Sequence, residues 1–186
     1  VRSRRQRQMC IRDSIYVGSD GSELDAIDDI TPTAYEEANG SGSGTYKDVG
    51  GLANEMGIGV KFELPILGTV KAQHIPNVDG IKNADNAASG STDANGSGNE
   101  LVIITSLGDI PVVGSYLDGL KLTAGYSEDE VSTVANTTDR HEATVALTGA
   151  FGNFKFGYQK ELVDEGQTAA LTDADFYKIE TIGLDY

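Results

Sequence analysis

Carboxylates crowd one short stretch of this chain, residues 21–40, with the sequence GSELDAIDDITPTAYEEANG. The six acids are Glu23, Asp25, Asp28, Asp29, Glu36 and Glu37. Such a cluster concentrates cations where low-dielectric walls focus its field, whereas salt screens the same charges on an outer surface beyond about 8 Å. The role of these acids therefore depends on where the rest of the chain holds the stretch, and an exposed acidic surface loop is the alternative to a functional one.

Other potentially reactive residues lack partners at a useful spacing. His74 and His141 occur singly on predicted strand faces, which favours interfacial or packing roles over a metal ligand or general base. Ser, His and Asp are present without a G-x-S-x-G elbow. The segment 93–96, DANG, is a fragment of a calcium-loop pattern, which leaves weak calcium binding as an alternative there. The sequence thus predicts neither an enzyme nor a cofactor site.

The chain has two parts of opposite charge. Residues 1–14, VRSRRQRQMCIRDS, hold five arginines against one aspartate, together with the only cysteine, Cys10. They lack the apolar region of a secretory signal peptide and resemble a translated sequencing adapter, so we expect a non-native or disordered head. A disordered basic arm is the alternative. Residues 15–186 then carry 9 basic and 28 acidic side chains, a net charge of −19 that argues against a nucleic-acid partner.

Apolar residues alternate with polar ones at period two along most of residues 15–186, which predicts strands. The composition agrees, because 23 glycines and only 4 prolines among 186 residues, with no Trp, favour strands and turns over helices. The phase of the last strand is not set by its pattern. The predicted strands cover about 15–18, 54–64, 69–75, 100–107, 120–126, 141–151, 154–159 and 176–186.

One helix signal interrupts this pattern, inside the acidic stretch. Thr31 or Thr33 can serve as the N-cap, and Pro32 suits the first turn because its missing N–H costs nothing there. We therefore predict a two-turn helix over 32–39 within a loop of residues 19–51. Loops of that length in compact domains are usually functional.

The predicted connections alternate in length. Long ones at one end of an antiparallel up-and-down sheet alternate with shorter ones at the other end, which is the layout of an outer-membrane barrel. A sheet packed on a soluble core is the alternative. Aromatic residues close to the short turns fit an interfacial girdle: Phe62, Phe151, Phe154, Phe156 and Tyr158.

Alternation also assigns the two faces of the sheet. One face is apolar, and we expect it to contact lipid through Met56, Ile58, Val60, Phe62, Val145, Leu147, Phe154 and Phe156. The opposite face carries charged and small residues that suit a wet lumen. We expect it to present Lys61, Glu63, Lys71, Lys121, Glu142 and Lys155.

Three segments resemble a known family. Residues 24–40, LDAIDDITPTAYEEANG, with the glycine-rich link and the GIGVKFEL strand that follow, are similar to the porins of marine alphaproteobacteria, within the general trimeric porin superfamily of Gram-negative bacteria. The hairpin 145–159 and the strand 176–186 resemble the repeating hairpins of those porins. The likeness covers residues 15–186, about eight strands where the family has sixteen. We therefore expect a partial porin β-barrel domain over 15–186.

The resemblance implies a function and a location. It implies a transmembrane β-barrel in the cell outer membrane, a homotrimer when full length, that lets ions and small hydrophilic solutes diffuse passively, without a cofactor. In the family the third extracellular loop folds inward and its acids face a cluster of arginines. The matching loop here is 19–51 with its six acids, so a mild preference for cations is expected.

The same resemblance implies that parts of the protein lie outside this chain. The strands that supply most of the arginines, the signal peptide and the terminal aromatic anchor are expected to be among them. The alternative to a channel is a soluble or surface-anchored β-rich adhesin or binding domain.

Overall fold

The structure is a computed structural model, and it describes residues 13–18, 22–28, 30–32, 49–50, 57–79, 95–112, 114–129, 139–164 and 176–186. The strands are β1 (Ser14–Gly18), β2 (Gly57–Leu64), β3 (Gly68–Asp79), β4 (Asn95–Ser106), β5 (Leu120–Asp129), β6 (Arg140–Phe151), β7 (Phe154–Asp164) and β8 (Phe176–Asp185). Single turns of 3-10 helix occupy Asp25–Ile27, Leu107–Asp109 and Gly114–Tyr116.

All eight strands lie in one antiparallel sheet in the order β1 to β8, so each strand pairs only with its neighbours in sequence. This confirms the predicted all-β, up-and-down architecture and the number of strands. Among the described residues the sheet is not closed, because β1 and β8 each pair on one side only. Ser14, which the sequence placed in the head, begins β1 and pairs with Lys61.

The connections alternate between two ends of the sheet, as predicted. The end with residues 19–56, 80–94, 130–139 and 165–175 is called the loop end here, and the end with 65–67, 107–119 and 152–153 is called the turn end. Gly152 opens the shortest turn with φ of 62°, a left-handed conformation that glycine adopts without a steric penalty.

Several strands are longer than the alternating pattern predicted. β3 runs to Asp79 and β4 begins at Asn95, although the sequence predicted a loop over 77–98, and β5 continues to Asp129. The strand ends pair through backbone hydrogen bonds, which form whatever the side chain is, so the apolar alternation stops before the strand does.

The predicted helix over 32–39 lies outside the described residues except for Pro32, which has no regular structure. In the described part of the acidic stretch the helical element is the 3-10 turn Asp25–Ile27. The sequence carried a signal for that turn in Ser22. Its hydroxyl accepts the amide N–H of Leu24 at 3.0 Å and of Asp25 at 3.1 Å, a local serine turn.

The register of the strands separates the side chains into two faces. On the covered face, Gln73, Glu100, Thr123, Glu142 and Gln159 are all buried. On the bare face, the apolar or aromatic side chains of Ile58, Leu101, Tyr126, Val145 and Tyr158 are 40–52% exposed. Both faces extend across the sheet, because residues paired between neighbouring strands point to the same side.

The predicted grouping of residues by face is confirmed wherever the structure describes them. Met56 lies outside the described residues. The register places on the bare face Ile58, Val60, Phe62, Val145, Leu147, Phe154 and Phe156. It places on the covered face Lys61, Glu63, Lys71, Lys121, Glu142 and Lys155. That the covered face lines a lumen stays a prediction.

Candidate functional site

The acidic stretch packs on the covered face through a small apolar core. Leu24 and Ile27 of the stretch, together with Val49 where the chain returns to the sheet, are buried against Val102 of β4 and Val163 of β7. The few apolar residues of an acidic segment are thus the ones removed from water. Residues 22–28, 30–32 and 49–50, called the acidic loop below, therefore lie on the sheet.

Glycines in three strands let the acidic loop come close to the sheet. A Cβ atom added at Gly125 would lie 2.4 Å from Leu24 Cδ1. One at Gly157 would lie 2.6 Å from Pro32 Cδ, and one at Gly183 would lie 2.1 Å from the carbonyl oxygen of Pro32. Any larger residue at these positions would push the loop away from the sheet.

Glu100 of β4 holds the start of the acidic loop. Its two carboxylate oxygens accept the Ser22 hydroxyl at 2.5 Å and the amide N–H of Glu23 at 2.8 Å. Glu100 is 2% exposed. A buried carboxylate needs such donors, since removing it from water without them would be costly.

Gln159 of β7 holds the middle of the acidic loop. Its side-chain nitrogen lies 2.9 Å from the carbonyl oxygen of Ile27 and 2.5 Å from that of Asp28. Its side-chain oxygen accepts the amide N–H of Ile30 at 3.3 Å. One amide side chain thus supplies both the donor and the acceptor that the backbone after the 3-10 turn needs.

Two more glutamates hold the returning end of the loop. The amide N–H of Val49 donates to Glu161 at 3.4 Å, and that of Gly50 donates to Glu142 at 3.0 Å. Arg140 forms an ion pair with Glu142. Glu142 and Glu161 are 2% and 0% exposed. Buried carboxylates on β4, β6 and β7 therefore attach the acidic loop at both of its described ends.

The predicted acids of the loop have different environments. Glu23 forms an ion pair with Lys71 of β3 at 2.5 Å and accepts a hydrogen bond from the Tyr16 hydroxyl of β1. Asp25 is exposed, and Asp28 is half-buried. The remaining three predicted acids, Asp29, Glu36 and Glu37, lie outside the described residues.

Five of the six lysines and glutamates predicted to line a lumen form ion pairs, among them Lys71 with Glu23 and Glu142 with Arg140 as described above. Lys61 pairs with Glu63 on its own strand at 3.1 Å, and Lys155 of β7 pairs with Asp185 of β8 at 2.9 Å. Lys121 is exposed on β5, near the turn end. The covered face thus carries both signs of charge.

The two histidines lie on the bare face at the loop end. His74 Nδ1 is 2.9 Å from Asn99 Oδ1, and His141 Nδ1 is 2.9 Å from the Tyr126 hydroxyl. The Tyr126 and His141 rings stack with their centroids 6.1 Å apart. Both histidines therefore bond to neighbouring strands, in keeping with the expected interfacial or packing role.

Two further features concern metals and helices. Within the described ranges, His, Cys, Asp and Glu side chains do not form a group of three or more suited to a metal ion. Of the calcium-loop fragment 93–96, the last two residues belong to β4, and the first two lie outside those ranges.

The helices that the structure describes are single 3-10 turns, far too short to cross a bilayer.

Sequence reasoning missed the residues that attach the loop. Glu100, Gln159 and Glu161 were not among the predicted site residues. The alternation over 154–159 places Gln159 on the polar face, which was a usable signal. Glu100 precedes a continuous aliphatic run and Glu161 lies beyond the predicted strand, so alternation assigned neither of them to a face. Most of their partners in the loop were not predictable, because nearly every residue has a backbone amide and the residue type does not show which one is bonded.

Comparison with known proteins gives no relative: no family model, curated protein or solved structure matches this chain.

Proposed function

We propose that this chain is part of an outer-membrane porin, a passive diffusion channel for ions and small hydrophilic solutes. One observation carries the proposal: the apolar face of the sheet is bare, while the polar face is covered by the acidic loop. A water-soluble sheet buries its apolar face and exposes the polar one. The reverse arrangement fits a sheet with lipid outside and a polar interior.

The bare face has the size expected of a membrane-exposed band. All eight described strands lie in one sheet, so a second sheet does not cover this face in the part of the chain described here. Its exposed apolar side chains extend from Ile15 on β1 to Leu184 on β8. Soluble monomers seldom expose apolar patches of this extent, which instead mark contacts with protein or membrane.

Polar side chains border the bare face toward the loop end. Paired positions on β3 to β6 hold His74, Asn99, Glu128 and His141. The segment of β6 from His141 to Phe151 would span about 34 Å along the strand, or about 25 Å of height at a tilt of about 40°. That height matches the apolar band of outer-membrane barrels.

Three charged residues on β7 and β8 also lie on the bare face. Lys160 and Lys178 both lie 3.4 Å from Glu180. Lys160 pairs with Val145 of β6, so these charges lie nearer the turn end than the polar row on β3 to β6. The two signs of charge compensate each other there.

Aromatic residues border the bare face toward the turn end. Phe151 and Phe154 flank the turn at 152–153 and are 59% and 43% exposed, and Phe62 on β2 is 41% exposed. The Phe151 and Phe156 rings stack with their centroids 6.0 Å apart. Aromatic girdles of this kind lie at the membrane interfaces of outer-membrane barrels.

In this proposal the covered face lines the pore and the acidic loop narrows it. The carboxylates of residues 25–37 would then lie in a water-filled neck whose walls focus their field, as rings of Asp and Glu do in cation pathways. Closing the sheet requires further strands next to β1 and β8, because open edges are not tolerated in lipid. The full-length protein would be a homotrimer in the outer membrane with a mild preference for cations.

Conductance of the full-length protein in planar bilayers tests this function. We expect stepwise conductance, a reversal potential that favours K⁺ over Cl⁻ across a KCl gradient, and a need for detergent during purification. Replacing Asp28, Asp29, Glu36 and Glu37 by Asn or Gln should lower the K⁺ preference. A protein that stays soluble without detergent and does not conduct would instead be an adhesin or another binding domain.

A further inference from the structure

We propose that Lys71 limits the cation preference of the channel by cancelling the charge of Glu23, so that this acid of the loop does not attract cations. The inference rests on the channel function proposed above and goes beyond it, because it divides the loop acids into a cancelled one and active ones.

The contact between the two residues is direct and partly shielded from water. Lys71 Nζ lies 2.5 Å from Glu23 Oε2, and the two side chains are 27% and 12% exposed. The Tyr16 hydroxyl donates to the other oxygen of the same carboxylate. Salt screens a partly buried pair much less than an exposed one, so the pairing persists at physiological ionic strength.

The backbone fixes Glu23 beside Lys71. The amide N–H of Glu23 donates to Glu100 at 2.8 Å, and Ser22 donates to the same carboxylate. Tyr16 of β1 and Lys71 of β3 therefore hold the Glu23 side chain, while Glu100 of β4 holds its backbone. Glu23 cannot swing into an open neck without breaking these contacts.

A pair in contact acts differently from charges that face each other across a gap. Separated charges create a field across the gap, whereas a contact pair leaves only a weak dipole a few ångströms away. Asp25 follows two residues later and is exposed. The geometry therefore points to Asp25, rather than Glu23, as an acid that passing cations meet.

Two single variants and their double variant test the cancellation in the full-length channel. Lys71→Gln keeps a hydrogen-bond donor but removes the positive charge that cancels the Glu23 carboxylate, so the ratio of K⁺ to Cl⁻ permeability should rise about two-fold. Glu23→Gln leaves Lys71 unmatched, so the ratio should fall about two-fold. The double variant should return to the wild-type ratio.

Lys160→Gln is the matched control. Lys160 also pairs with a glutamate, Glu180 at 3.4 Å, but on the bare face, so removing its charge should leave the ratio unchanged. Lys71→Arg keeps the positive charge and should retain the wild-type ratio, which distinguishes charge from altered packing. Single-channel conductance in each variant shows that the channel is assembled.

The results separate this inference from the function on which it rests. A wild-type protein that does not conduct refutes the channel itself. A conducting channel in which the Lys71 and Glu23 variants change the ratio in the same direction, or not at all, overturns the cancellation alone. If Lys71→Gln does not assemble, the question is decided by whether Glu23→Gln lowers the ratio and the double variant restores it to the wild-type value.

Discussion

On the covered face many of the buried side chains are polar: Glu100, Gln159 and Glu161 are 2% exposed or less. On the bare face, by contrast, the apolar Ile58 and Val145 are 52% and 44% exposed. The covered face satisfies its polar groups with the backbone of the acidic loop. The bare face has no such partner among the described residues. The two faces of one sheet are therefore built for different surroundings, one for hydrogen bonding and one for an apolar environment.

The largest expected effect is on the bare face. Ile103 of β4 lies there between Val70 and Ala124. In Ile103→Arg, an arginine near the bilayer midplane should destabilise folding into lipid by about 2–4 kcal/mol. Urea titration of the protein folded into vesicles measures this loss. Val112→Arg is the control, since Val112 is 93% exposed in the connection between β4 and β5 and should tolerate the change.

A smaller effect is expected on the covered face. Gln159→Met keeps the volume but removes the partners of the Ile27 and Asp28 carbonyl oxygens and of the Ile30 N–H, which should cost about 1–3 kcal/mol. The acidic loop should then be cut faster by a protease that cleaves after acidic residues.

Gln73 offers a matched control for that variant. It is also buried on the covered face, but its side-chain oxygen has no hydrogen-bond partner in the described part of the chain. Gln73→Met should therefore leave stability unchanged or raise it. Equal losses in the two variants would mean that burial, rather than attachment of the loop, explains the effect of Gln159.

The smallest effect is expected for an exposed ion pair. Lys61 and Glu63 lie 3.1 Å apart, and their side chains are 39% and 24% exposed. Lys61→Met should change the free energy of unfolding by less than about 1 kcal/mol, because water and salt weaken such a pair. A loss as large as that of Gln159→Met would show that this part of the covered face is more tightly packed than its exposure indicates.

The sequence predicted the sheet better than the loop. Alternation in segments such as GIGVKFEL placed β2 and the side on which Phe62 lies, because a period of two follows directly from strand geometry. It also placed Lys71 and Glu142 on the polar face. The ends of β3, β4 and β5 were missed, since their polar residues pair through the backbone and leave no apolar pattern.

The attachment of the loop depends on contacts between distant residues, which a local pattern cannot reveal. Gln159 and Ile27 are joined across 132 positions, and Glu100 and Ser22 across 78. Gly125, Gly157 and Gly183 were a local signal, because a glycine leaves space on one face of a strand where another segment can pack. They did not indicate which segment packs there.

The central claim is that the bare face contacts lipid. Single cysteines at Ile103 on the bare face and at Lys121 on the covered face, in a variant with Cys10→Ser, would carry a fluorescent label in vesicles of lipids brominated along their acyl chains. We expect strong quenching of the label at position 103 and little at position 121, where a water-soluble thiol reagent should react instead. Equal quenching at the two positions, or rapid reaction of both with the water-soluble reagent, would contradict the account.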